Sequence, residues 1–184
     1  ANNSLYGFYV KSSNRTNLIS NIVYNNTYDL WINVTSNPMV FNMTNTTFLN
    51  PYGTAENYTS LSINDTVSAN SEYFINWTTH SETLPGSRRS FEQKYVNITN
   101  ISGTVSIDTI MWHWYTSELS GYAESNFELW KFNTSTGWTV LNNTPDTDSN
   151  ILTLYNLIPA SIYGILSANN LPIAENLTLN STFD

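Results

Sequence analysis

Apolar residues in this chain recur at every second position. Tyr73, Ile75 and Trp77 alternate with Phe74, Asn76 and Thr78, and Val105 and Ile107 alternate with Thr104, Ser106 and Asp108. Successive side chains of a strand point to opposite faces, so a period of two marks strands with one buried face. The residue supply agrees: Val, Ile, Thr, Phe, Trp and Tyr number 72, against 41 for Ala, Leu, Glu, Lys, Arg, Gln and Met together, and the first group suits the half-buried surface of a sheet. Short apolar runs bounded by Asn, Pro, Gly and Ser lie near residues 18–24, 28–34, 38–43, 58–63, 72–78, 93–98, 103–115, 126–132, 137–141, 151–155, 161–167 and 176–183. Many short strands separated by turn signals predict an all-β fold, an immunoglobulin-like or jelly-roll β-sandwich.

Fifteen Asn-x-Ser/Thr triplets state which positions must face outward. They begin at Asn2, Asn14, Asn25, Asn33, Asn42, Asn45, Asn57, Asn64, Asn76, Asn97, Asn100, Asn133, Asn142, Asn176 and Asn180. Random order of the 28 Asn and 46 Ser plus Thr would give about seven such N-glycosylation acceptors. Thr fills the third position in twelve of the fifteen although Ser and Thr are nearly equal in number, as expected if the hydroxyl is selected for glycan attachment. The transferase acts outside the cytoplasm, so an exported, extracellular protein bearing N-linked glycans is expected. A sugar-bearing Asn in a strand sets its odd-spaced neighbours inward. Asn176, Thr178 and Asn180 then face out with Leu177 and Leu179 in, and Asn76 puts Tyr73, Ile75 and Trp77 in. Phe74 is left on the outside, exposed or under glycan.

With 184 residues, 40% of them apolar, the chain can bury one substantial core. Charged residues make up 11% and the formal net charge is −8, so solubility rests on neutral polar groups. An acidic exterior, where carboxylates lose their charge, and a glycan coat that makes ionic side chains unnecessary both account for this. There is no cysteine, so an exported chain must draw its toughness from glycans or assembly rather than disulfides. No run approaches the roughly 18 apolar residues of a membrane helix, and the start at Ala1 without a hydrophobic leader leads us to expect a mature chain whose signal peptide has been removed.

Phe127 to Leu141 reads as a hairpin turning at Asn133-Thr134-Ser135-Thr136-Gly137. Leu129-Trp130-Lys131-Phe132, Gly137-Trp138, Pro145-Asp146-Thr147, Asn150-Ile151-Leu152-Thr153 and Ser161-Ile162-Tyr163-Gly164-Ile165 together resemble the closing sandwich strands of many archaeal and bacterial cell-surface proteins. The resemblance covers about 40 residues and implies an exported sandwich module without implying chemistry.

Leu5-Tyr6-Gly7-Phe8-Tyr9-Val10 is apolar on both strand faces and is followed by the polar stretch Lys11 to Asn17. Such a strand needs a place between neighbours. It is either the first strand of its own sandwich or a donor strand that completes the sheet of the next subunit. A short N-terminal strand, a Cys-free all-β body, dense Thr-type acceptors, few charges and the chain length together resemble the subunits of archaeal thread filaments, the thin glycosylated surface fibres of thermoacidophiles. That resemblance implies a homopolymer joined head to tail by donor strands, with Leu5, Tyr6, Phe8, Tyr9 and Val10 as donor residues. It also implies residues 1–17 as donor strand and linker and 18–184 as one sandwich domain.

Residues that would carry chemistry are few. There are two histidines, and neither a nucleophile elbow nor a phosphate-cradling loop is present. His113 alternates with Trp112 and Trp114, which reads as structural. Asp146-Thr147-Asp148-Ser149-Asn150 begins like a calcium loop, but Ile151 and Leu157 stand where glycine and glutamate are needed. Six Trp suit a sandwich core, with a secreted carbohydrate-binding, adhesive or surface-layer module as the alternative function. Arg88-Arg89 is expected in a solvated loop, and the net charge gives no support for nucleic-acid binding. Lys11, Lys94 and Lys131 are the amines available for a side-chain isopeptide link. No enzyme, cofactor or metal is expected.

Overall fold

The computed structural model describes residues 4–50, 58–81 and 83–168. They form thirteen strands: β1 (Tyr6–Lys11), β2 (Arg15–Ile19), β3 (Ile22–Tyr24), β4 (Tyr28–Val34), β5 (Met39–Leu49), β6 (Tyr58–Val67), β7 (Ser71–Trp77), β8 (Arg88–Ser102), β9 (Ile107–His113), β10 (Phe127–Asn133), β11 (Gly137–Asn142), β12 (Ile151–Leu157) and β13 (Ala160–Ala168). One sheet runs β1-β4-β7-β8-β13-β10-β11 and the other β12-β9-β6-β5-β2, with β3 also beside β5. The chain is therefore an all-β sandwich, as its alternation predicts.

The core lies between the sheets and is lined by the predicted inward residues. Tyr73, Ile75 and Trp77 are buried, as are Val105, Ile107, Trp112 and Leu129. Most ladders are antiparallel, whereas β1 pairs parallel with β4, and β2 and β3 pair parallel with β5. These additions form one flank of both sheets. On the other flank β11 and β12 are linked by Asn142 Nδ2, which donates to the Thr153 carbonyl at 2.8 Å. Among the described residues no helix is long and apolar enough to cross a membrane.

Several local expectations change. Arg15–Ile19 is a strand rather than linker, so Ser12–Asn14 alone joins β1 to β2. β5 runs on to Leu49 through a bulge between Met43 and Thr46, where Asn45 adopts φ +44°. Arg88 and Arg89 belong to β8, not to a solvated loop. Arg88 grips Glu128 through two bonds of 3.0 and 3.1 Å, and Arg89 lies 4.0 Å over the Tyr122 ring. The predicted hairpin forms between β10 and β11, with Asn133 opposite Gly137 and Gly137 at φ +71°. The predicted strand at 176–183 lies outside the described residues.

Candidate functional site

The feature of β1 that matters is its place at the sheet edge: among the described residues its ladder partner is β4 and no strand pairs with its outer edge, so it does not lie between two neighbours as its apolar faces suggest. Alternation directs Phe8 against the core and buries Val10, whereas Tyr9 is 45% exposed and Leu5, just before the strand, 56%. Tyr6 and Tyr9 stack with centroids 4.9 Å apart. Burial of Val10 contributes about 1.5–3 kcal/mol and the half-buried Phe8 adds less, so the body needs this strand, yet each contact is one that an identical strand can make.

Both ends of β1 are pinned to β4. At the start, Thr27 N donates to Ser4 O at 3.1 Å and Tyr28 N to Leu5 O at 2.9 Å. Ser4 N donates to Asn26 Oδ1 at 3.3 Å, while Asn26 Nδ2 donates to Asp29 Oδ1 at 3.2 Å. Asp29 is buried and also accepts from Trp77 N at 3.0 Å. Burial raises its pKa, against the lowering effect of these bonds. At the far end, Ser12 N donates to Asn33 O at 3.0 Å, and its hydroxyl lies 2.6 Å from that of Thr35. Ser12 adopts φ +43°, a left-handed conformation that costs a residue with a side chain about 1–2 kcal/mol.

The eleven acceptor Asn residues within the described parts all reach the surface. Asn14, Asn45 and Asn64 are exposed, and Asn25, Asn33, Asn42, Asn76, Asn97, Asn100, Asn133 and Asn142 are half-buried. Asn50, the Asn that is buried among the described residues, precedes Pro51 and heads no acceptor triplet. Asn42 faces Asn64 across β5 and β6, and Asn76 faces Asn97 across β7 and β8, so both outer faces of the sandwich carry acceptors. Asn2, Asn57, Asn176 and Asn180 lie outside the described residues.

The remaining candidates have structural surroundings. His113 shares a 2.8 Å hydrogen bond with the Ser62 hydroxyl, and burial lowers its pKa. Asp146 Oδ1 accepts from the backbone N–H groups of Asp148 and Ser149 at 3.1 and 3.0 Å, forming an Asx turn. Trp77, Trp112, Trp114 and Trp130 are buried, while Trp31 and Trp138 are half-exposed. Lys94 is fully enclosed, with Nζ 2.6 Å from Glu118 Oε1 and 3.6 Å from the Tyr58 ring centroid. Sequence reasoning missed this pair, whose members are 24 residues apart and meet because β8 bulges at Glu92 and Gln93, both at positive φ. It also missed an outward cluster of Tyr6, Tyr9, Tyr28, Trp31 and Phe74. No protein-family model, curated protein or solved structure matches the chain.

Proposed function

We propose that this chain is the repeating subunit of an extracellular filament, joined head to tail by exchange of β1 between molecules, and that its surface acceptors carry N-linked glycans. The observation that carries the reading is the attachment of β1: a peripheral parallel strand with Phe8 packed against the core and Val10 buried, one partner strand among those described, and a three-residue connection holding Ser12 in a left-handed conformation. Within a single chain β1 is the first strand of its own sandwich, beside its own β4, which is the first of the two placements its sequence leaves open. The same residues fit the same place on a neighbour in the same register, so exchange conserves the ladder and the core contacts. Short connections under strain favour such exchange. The surface placement of the acceptors supports the glycan coat, which in turn suits a chain with few charges.

The test uses the full chain, a form lacking residues 1–11, and a synthetic peptide of residues 1–12. The full chain, unfolded and refolded at high concentration, is expected to give regular threads about one subunit wide in electron micrographs. The truncated form gives none and binds the peptide, with a rise in melting temperature. A full chain that stays monomeric at every concentration, together with native surface material free of threads, would overturn the reading. Glycan binding by that monomer would then favour a carbohydrate-binding module.

A further inference from the structure

On the outer face of the seven-stranded sheet, Trp31 and Phe74 are direct cross-strand partners. Their rings stack, 5.6 Å between centroids and 18° between planes. Tyr28 meets them edge-on at 4.3 and 4.8 Å, and Tyr6 reaches within 5.4 Å of Trp31. A contiguous patch of rings on an outer face calls for a cover. Two positions beyond Trp31, on the same face, is Asn33; two beyond Phe74 is Asn76. Both head acceptor triplets. Because β4 and β7 are antiparallel, the two Asn residues stand on opposite sides of the Trp31–Phe74 pair.

We propose that the first sugars of N-glycans on Asn33 and Asn76 lie flat on these rings, so that the aromatic patch is covered by carbohydrate attached to the chain itself. This rests on the glycan reading above and gives that coat a structural role. Residues two apart on a strand are about 7 Å apart, a distance that a sugar held on an Asn side chain spans. The C–H faces of a sugar ring are apolar and complement the electron-rich face of an aromatic ring. Attachment forms a bond from Asn Nδ2 to the anomeric carbon of a polyprenyl-phosphate-linked sugar as the bond from that carbon to the phosphate oxygen breaks, and one amide proton leaves. One N–H remains. On Asn33 it keeps the 2.7 Å bond to Glu72 Oε1, which also accepts from Trp31 Nε1 at 2.8 Å. Glu72 therefore fixes the Asn33 amide and the Trp31 ring relative to each other.

The other sheet supplies an internal control. Asn64 of β6, an exposed Asn that heads an acceptor triplet, stands opposite Asn42 of β5 and away from this patch.

Glycopeptide mass spectrometry of the native protein is expected to find Asn33 and Asn76 occupied. Melting of the glycosylated protein then reads the coupling. Asn76→Gln should lower the melting temperature by about 2–4 °C, the shift that 1 kcal/mol gives at this size, and by less than half as much in a Phe74→Leu background. Asn64→Gln, on the other sheet, should show no such dependence. If Phe74→Leu does not fold, the wild-type protein still decides, because sugar protons above a ring show upfield NMR shifts and unshifted ones overturn the proposal. Equal losses in both backgrounds overturn it. So do bare Asn33 and Asn76 with glycans elsewhere, a result that leaves the coat standing, including the case where Phe74→Leu changes the oligomeric state and a second copy is the cover. A protein without any glycan overturns both readings.

Discussion

Gly7 of β1 lies so close to the main chain of Asp29 that a Cβ on it would stand 2.5 Å from the Asp29 carbonyl oxygen. That Cβ would also meet the Val23 side chain, and it would come within 2.9 Å of Asn26 Nδ2. Glycine is needed here for space, since it does not adopt a positive φ.

Gly7→Ala should therefore lift β1 from β4 at a cost of about 1–3 kcal/mol, the usual penalty of overpacking. In the monomer this lowers the melting temperature; in the filament reading it also removes threads from micrographs. Normal stability and normal threads would show that β1 does not use this contact.

Asp65 makes stability depend on pH. Its carboxylate is buried, accepts from the Tyr73 hydroxyl at 3.1 Å and from Asp108 N at 3.3 Å, and has the Asp108 carboxylate nearby. Burial, the largest influence, raises its pKa to about 6. A folded-state pKa above the unfolded one gives stability that is complete below the unfolded value and is lost as pH rises through about 6. The fold should be about 2–3 kcal/mol more stable near pH 3.5 than at pH 7 on account of this group. Asp29, raised in the same direction by burial, adds to the slope. Calorimetry across this range should show the slope, and Asp65→Asn should flatten much of it. An unchanged slope in Asp65→Asn would refute the assignment. This direction accords with an acidic exterior.

Glu118→Gln should cost about 3–5 kcal/mol, because it leaves the enclosed Lys94 ammonium without its counter-charge. Lys94→Met in the same chain should restore much of the loss. Urea midpoints with an unchanged slope measure both. A near-neutral Glu118→Gln would mean that the Tyr58 ring and carbonyl suffice for Lys94.

Gly164 of β13 makes room for the Tyr95 ring, which a Cβ would strike directly. Gly164→Ala should cost about 1–3 kcal/mol. Gly164→Ala combined with Tyr95→Leu should recover part of it. Full stability in Gly164→Ala alone would show that the ring moves aside freely.

The strands legible in the sequence are those whose two faces differ. Tyr73, Ile75 and Trp77 declare a buried face by themselves, and Gly137 after an Asn-Thr-Ser-Thr run declares its turn. β2 was legible only in part: Leu18 and Ile19 fall in the predicted run at 18–24, but Arg15 to Asn17 read as linker, because Arg15–Ile19 alternates exposed and half-buried residues and is held by parallel pairing with β5, a partner fixed by the whole fold. Arg88 was misread for a related reason: its partner Glu128 is 40 residues away across β13. Phe74 faced outward as alternation demands, but its companions Trp31 and Tyr28 come from another strand, and no local pattern announces them. Of the candidate site, the apolar character of β1 was readable from its composition. Its parallel direction and tight connection depend on β4 arriving alongside.

The parallel docking of β1 on β4 has a mechanical consequence. Tension applied along the strand axis, between Lys11 and the body that receives the strand, loads every rung of the ladder at once instead of unzipping them in turn. A string of such molecules would also have a direction, with a bare cleft at one tip and a loose tail at the other, so growth and breakage would differ between its two ends.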